Sequence, residues 1–114
     1  MTLSEKTCQP CRGDMLALTA DEIKPLLLQV DKWHCENDQK IFKSYKFENF
    51  KQSMDLATKV AAIAQKENHH PDLIVRWGEL RIEIWTHICH GLTENDFILA
   101  SKIDKCATGV PAGK

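Results

Sequence analysis

This sequence predicts an α+β domain in which three helices cover one face of a four-stranded antiparallel sheet. Apolar residues recur at helical spacing over residues 49–69, whereas they alternate at strand spacing over residues 39–47 and 80–87. Each alternating segment follows another short apolar segment after only two or three turn-forming residues, which indicates hairpins. The predicted element order is therefore α-β-β-α-β-β-α.

The chain begins with residues 1–18, which show little periodicity and are expected to form an N-terminal arm. The first helix follows, because Thr19 is a good N-cap and Glu22 occupies the capping-box position three residues later. Pro25 removes a backbone donor in the second turn. We therefore expect a kinked or late-starting helix that ends near Val30.

The first hairpin is predicted from residues 31–35 and 39–47, with a turn at residues 36–38. Period-two spacing places four side chains of the longer strand on one side: Ile41, Lys43, Tyr45 and Phe47. The alternation is imperfect because a lysine lies among apolar residues.

The second helix, residues 49–69, has the clearest pattern in the chain. Asn49 is a good N-cap, and an apolar stripe follows at spacings of three and four residues. Pro71 disfavours a helical conformation at the residue before it, His70. The helix is therefore expected to end at the pair His69-His70.

The second hairpin joins residues 73–77 to residues 80–87, with Gly78-Glu79 at its tip. The apolar set of the second strand must face the helices. His87 belongs to the opposite set, so we expect it on the more open face of the sheet.

A third helix is predicted over residues 93–102, with Thr93 as N-cap and Asp96 at its third position. The helices and hairpins define one domain, residues 19–105. Residues 106–114 are expected to form a C-terminal tail, disordered from residue 109 onwards.

The composition excludes several classes of protein. A chain of 114 residues suits one domain, and a net charge of −1 gives no reason to expect binding to nucleic acid or membranes. It has no apolar run of about 20 residues and no signal-peptide pattern, so a cytoplasmic location is expected. The two edges of an open sheet favour self-association as a homodimer or homotetramer.

The five cysteines are scattered, and a reducing compartment would keep them as thiols. Cys8 and Cys11 form a CxxC motif, but a zinc site needs two further ligands at suitable spacing, and no second motif supplies them. The preferred interpretation is a loose arm with two free thiols. We expect no metal.

Three histidines and an aspartate are the best candidates for chemistry. His69 and His70 are adjacent, His87 follows 17 positions later, and Asp96 follows after nine more. Histidine titrates near neutrality, so a cluster of three is suited to removing one proton while delivering another. Each of these residues, taken alone, could instead have a purely structural role, because histidines often lie at helix ends and acids often complement a helix N-terminus.

The pattern formed by His69-His70-Pro71, Trp77, His87 and Asp96 resembles that of the pterin-4a-carbinolamine dehydratase family. The likeness extends from about residue 19 to 105, and the arm is similar to that of bacterial members linked to phenylalanine hydroxylase. The resemblance implies dehydration of 4a-hydroxytetrahydrobiopterin to quinonoid dihydropterin, without metal or cofactor. That reaction recycles the pterin used by an aromatic amino acid hydroxylase, which would be the functional partner.

The resemblance also implies roles for residues. His69 and His87 would exchange protons with N5 and the C4a-hydroxyl of the pterin, while His70 would position it. The remaining candidates for binding the substrate or orienting a histidine are Asp96, Asn68, Pro71 and Trp85.

Two positions depart from the pattern of many family members. Gln65 and Asn68 stand where those members carry acids, which leaves the level of activity open. Two alternatives also stay open: a non-catalytic dimerisation module, and an enzyme of another pterin pathway such as molybdopterin metabolism.

Overall fold

Three α-helices and four strands are the main elements of the part of the chain that the structure describes, residues 2–108 and 110 of a computed structural model. In chain order they are α1 (Ala20–Leu27), β1 (His34–Glu36), β2 (Lys40–Lys46), α2 (Phe50–Glu67), β3 (Asp72–Arg76), β4 (Glu79–Ile84) and α3 (Glu94–Cys106). The predicted fold class and element order are confirmed. Most of the predicted disordered tail lies outside the described residues.

The four strands form one antiparallel sheet in the order β1-β2-β4-β3. The central pair aligns Ile41 with Ile84 and Tyr45 with Leu80, and all four side chains are buried. Helix α2 packs on β3 and β4 and also contacts α3, while α1 packs against α3. The helices therefore cover the face that the alternation predicted.

Side-chain caps begin α1 and α2 where the sequence indicated. The Thr19 hydroxyl accepts from the Glu22 amide at 3.3 Å, and the Asn49 side chain accepts from the Gln52 amide at 2.9 Å. Helix α1 ends at Leu27, earlier than predicted, because the amides of Gln29 and Val30 donate to carbonyls three residues back and tighten the chain into a turn.

Two strand boundaries were predicted wrongly. Lys32 takes a left-handed conformation with φ 61°, so the first strand does not begin until His34. Strand β4 ends at Ile84 and does not reach His87. Instead His87–Cys89 form a short 3-10 turn, closed where Thr86 pairs with Gly91. His87 thus lies on a turn beside the sheet, not on a strand face.

The N-terminal arm is packed, contrary to the expectation of a loose segment. Leu3 and Cys8 are buried in the core, and the arm runs along α3. Lys102 donates from Nζ to the carbonyl of Ser4 at 3.0 Å. Apolar burial and this bond supply the contacts that an unanchored arm would lack.

Lys43 occupies the buried face of β2, as its period-two position required, with 4% of its side chain exposed. Its Nζ lies 3.0 Å from Oδ1 of Asp104, which also accepts from the Trp33 indole at 2.8 Å. This pairing explains how a charge is tolerated in an apolar row. Within the described ranges, no helix is both long enough and apolar enough to cross a bilayer.

Candidate active site

The end of α2 sets the directions of the adjacent histidines. The helix stops at Glu67, and Asn68 caps it in a left-handed conformation with φ 53°, which asparagine tolerates better than most residues. The helix thus ends before the constraint from Pro71 applies. His69 then lies inside the protein, 6% exposed, whereas His70 is exposed.

His69 is held by a fully buried carboxylate. Its Nε2 lies 2.7 Å from Oδ1 of Asp96, which is 0% exposed. The other oxygen, Oδ2, accepts from the Thr86 hydroxyl and from the Thr93 amide, each at 2.8 Å. An ionised carboxylate has no proton to donate, so His69 donates from Nε2. Nδ1 is the ring nitrogen that remains for chemistry.

His70 has a neutral partner. Its Nε2 lies 3.0 Å from Oε1 of Gln65, one turn back on α2. The amide supplies an acceptor at that position without a negative charge.

His87 is supported by an aromatic ring. The rings of Trp85 and His87 lie 4.1 Å apart at 34°. The Trp85 indole in turn donates from Nε1 to Oδ2 of Asp72 at 3.4 Å. These contacts limit the orientations open to the exposed imidazole.

The three histidines share one surface cavity of about 270 Å³. It is lined by Cys11, Asn68, His69, His70, Trp85, His87 and Ile88. Three larger depressions, of about 610, 670 and 580 Å³, have no histidine in their linings. Volume alone would favour those three, but proton transfer needs titratable groups, so we take the smaller cavity as the candidate site.

Three predicted residues are outside this lining. Pro71 is half-buried and leads into β3, and Trp77 is 69% exposed at the tip of the second hairpin. Asp96 is also outside the lining but holds His69 from behind. In the described part of the chain, no three His, Cys, Asp or Glu side chains are arranged to hold a metal ion.

The model of the Pterin 4 alpha carbinolamine dehydratase family matches residues 16–106, most of the chain. The chain belongs to this family. A Rickettsia canadensis protein, named provisionally as a pterin-4-alpha-carbinolamine dehydratase, is 50% identical over 103 residues, which cover 90% of this chain and 94% of the relative.

Two further relatives place the fold within the dehydratase family. The mitochondrial pterin-4-alpha-carbinolamine dehydratase 2 of Arabidopsis thaliana is 45% identical over 90% of this chain and 58% of its own. A Brucella melitensis crystal structure, described as a transcriptional coactivator/pterin dehydratase, superposes with a TM-score of 0.73 at 28% identity. It covers 79% of this chain and 97% of the Brucella chain.

The sequence patterns did not reveal two contributors to this dehydratase-type site. Period-two spacing places Thr86 in the inward-facing set of residues 80–87, but it does not reveal that the Thr86 hydroxyl orients Asp96. Cys11 was assigned to a loose arm, yet it lines the cavity. Glu67 is buried and turned away from the histidines, where its Oε1 accepts from the Cys8 amide at 2.9 Å. The position of Glu67 around the axis of α2 was the sequence signal that its side chain points away from the histidines.

Proposed function

We propose that this chain dehydrates 4a-hydroxytetrahydrobiopterin to quinonoid dihydropterin and water. The observation that carries the proposal is the oriented pair of His69 and Asp96 on a cavity that also presents His70 and His87. In the reaction the proton on N5 leaves, the C4a–OH bond breaks, and C4a=N5 forms. A base must act at N5 while an acid protonates the departing hydroxyl.

The geometry suits a division of these tasks. His69, held through Nε2, offers Nδ1 as the fixed proton-exchanging atom, and His87 supplies the second imidazole. His70 positions the pterin and is less constrained, because its partner is a neutral amide. The Trp85 ring holds His87 and offers an apolar surface to the flat bicycle. Asn68 at the rim supplies an amide for the polar edge of the pterin.

The cellular role that fits this reaction is recycling of the pterin of an aromatic amino acid hydroxylase in the cytoplasm. We also propose a homodimer or homotetramer, because the outer strands β1 and β3 present sheet edges. Multi-angle light scattering tests the assembly. Growth on phenylalanine of a strain lacking the gene tests the recycling role.

The catalytic proposal is tested by stopped-flow loss of 4a-carbinolamine absorbance. We expect His69→Ala and His87→Ala to lower kcat, since general acid or base catalysis contributes about 10²- to 10⁴-fold, and His70→Ala to raise KM through loss of substrate positioning. His34→Ala is the matched control, because that histidine stacks on Phe42 outside the cavity. If all three site variants are as fast as wild type, the assignment of these histidines to the reaction is wrong. If wild type is no faster than buffer alone, the proposed dehydratase function is wrong.

A binding module is the second candidate, because the Brucella structure is described as a transcriptional coactivator as well as a pterin dehydratase. A protein that only binds a partner gains nothing from an imidazole held by a buried carboxylate. Partner capture that survives all three histidine substitutions, with no turnover by wild type, would favour the module. Turnover of a different pterin carbinolamine in place of this one would favour another pterin pathway.

A further inference from the structure

The N-terminal arm connects the two elements that hold the His69–Asp96 pair. After its first buried residues the arm passes the end of α2 and the first turn of α3. It then brings Cys11 to the lining of the histidine cavity. The arm is thus placed to influence both the geometry of the site and the shape of its opening.

Asn95 holds the arm at α3. Its Oδ1 accepts from the Gln9 amide at 2.9 Å, and its Nδ2 donates to the Gln9 carbonyl at 2.7 Å. The asparagine side chain therefore pairs with one arm residue as a neighbouring strand would, and it is only 4% exposed. The Cys8 thiol adds a longer contact, 3.6 Å from the carbonyl of Asn95.

Glu67 holds the arm at α2. Its Oε1 accepts from the Cys8 amide at 2.9 Å, and its Oε2 lies 3.7 Å from Nζ of Lys102 on α3. The carboxylate is buried, and with both contacts in place its charge is partly compensated. This one side chain therefore links α2, α3 and the arm.

Both anchors lie next to reacting or orienting groups. Asn95 directly precedes Asp96, and Glu67 is two residues before His69. Consecutive arm residues, Cys8 and Gln9, bind the two anchors. Movement of the arm away from the protein would release one restraint on each member of the 2.7 Å pair.

We propose that arm residues 8–11 form a wall of the pterin pocket, with Cys11 in contact with the substrate and Asn95 and Glu67 as positioning residues. This inference rests on the proposed function. It assigns to the arm a part in substrate binding that the histidine motif does not contain. Because the wall is held by a few hydrogen bonds, pocket shape depends on arm anchoring.

Anchoring is measured without any pterin, by mass-spectrometric alkylation of Cys8 with iodoacetamide. In wild type the thiol is buried, and burial, with the Glu67 carboxylate beside it, raises the pKa of Cys8 to about 12, so it reacts slowly. Asn95→Ala removes two hydrogen bonds, each worth up to about a factor of ten, and should speed alkylation at least several-fold. Gln9→Ala is the matched control, because it keeps the backbone groups that bind Asn95.

Steady-state dehydration kinetics and the protection of Cys11 from alkylation test whether the arm forms a wall of the pocket. Cys11→Trp fills the opening from an exposed position, so it leaves folding intact and should raise KM at least tenfold. Leu28→Trp, at an exposed position outside the cavity lining, is the matched control and should stay near wild type. Biopterin, a stable pterin, should slow alkylation of Cys11 in wild type. Asn95→Ala should raise KM and lower kcat, and Asn95→Asp, which keeps the acceptor for the Gln9 amide, should recover part of the loss.

The outcomes separate the two proposals. If wild type is active and both Cys11→Trp and Asn95→Ala keep the wild-type kcat/KM, the proposal that the arm forms a wall of the pocket is wrong. The proposed dehydratase activity would then still stand. A wild type at the buffer rate would overturn both. Alkylation of Cys8 as fast in wild type as in Asn95→Ala would overturn the anchoring, whatever the activity. Should Asn95→Ala fail to fold, Gln9→Pro, which lacks the amide that donates to Asn95, tests the anchoring, and Cys11→Trp tests the wall.

Discussion

Replacing Asp96 with asparagine tests the orientation of His69 most directly. The carboxylate accepts three hydrogen bonds: Oδ1 from His69 at 2.7 Å, and Oδ2 from the Thr86 hydroxyl and the Thr93 amide, both at 2.8 Å. In Asp96→Asn one oxygen becomes an NH₂ group. The remaining oxygen is needed by two donors, so the NH₂ group must face His69.

That NH₂ group donates where the carboxylate accepted. The His69 Nε2 must then accept, so the proton of the neutral ring moves to Nδ1 and the nitrogen left for the substrate changes from acceptor to donor. A hydrogen bond to a charged group is worth about 1.5–3 kcal/mol. Because about 1.4 kcal/mol is tenfold in rate, we expect kcat to fall about 10- to 150-fold.

Asp104→Asn on the same helix is the matched control. Asp104 also binds two side chains, Trp33 at 2.8 Å and Lys43 at 3.0 Å, but it is remote from the histidine cavity. Urea unfolding should show both variants destabilised, and stopped-flow dehydration well below either Tm should show a loss of kcat only for Asp96→Asn. A kcat for that variant within twofold of wild type would refute the orientation argument.

Three further substitutions probe separate contacts. Thr86→Val leaves the buried site carboxylate without one donor and should lower the free energy of unfolding by about 1–3 kcal/mol in urea, with Thr86→Ser near wild type. A Cβ at Gly91 would lie 2.6 Å from that of Ala17, so Gly91→Ala should lower Tm, and adding Ala17→Gly should restore it. A hydrogen bond from Arg81 lowers the folded-state pKa of Glu83 below 4.5, so its stabilisation is complete above that pH and lost as pH falls through the folded-state pKa. In acid titrations followed by circular dichroism, Glu83→Gln should therefore lose less stability than wild type below about pH 4.5; an equal loss would contradict the assignment.

The elements were predictable because they depend on local signals. Capping residues such as Thr19 and Asn49 begin helices through hydrogen bonds within one turn, and period-two alternation fixes which side of β2 is buried. The end of β4 was not predictable from alternation. The pattern continues through Trp85, but the chain turns because Thr86 bonds to Gly91, a contact made outside the strand.

The site was predictable in its titratable residues and not in their support. Histidines and an aspartate at a family spacing can be read from the sequence, whereas the partners of Asp96 come from two different elements that only folding brings together. The arm was misjudged for a similar reason. Residues 1–18 lack periodicity, and the signal that anchors them, the side chain of Asn95, lies 86 positions after Gln9.

The adjacent histidines therefore differ more than their motif suggests. His69 is buried against a charged, fully enclosed partner, so its ring has one orientation and one free nitrogen. His70 is exposed against the amide of Gln65, a contact that solvent competes with and that costs little to break. A group that must exchange a proton at a fixed atom benefits from the first arrangement, and one that must follow a substrate into place benefits from the second. In the proposed mechanism, an amide in place of a carboxylate at residue 65 therefore bears on binding and positioning by His70 more than on the proton transfer proposed for His69.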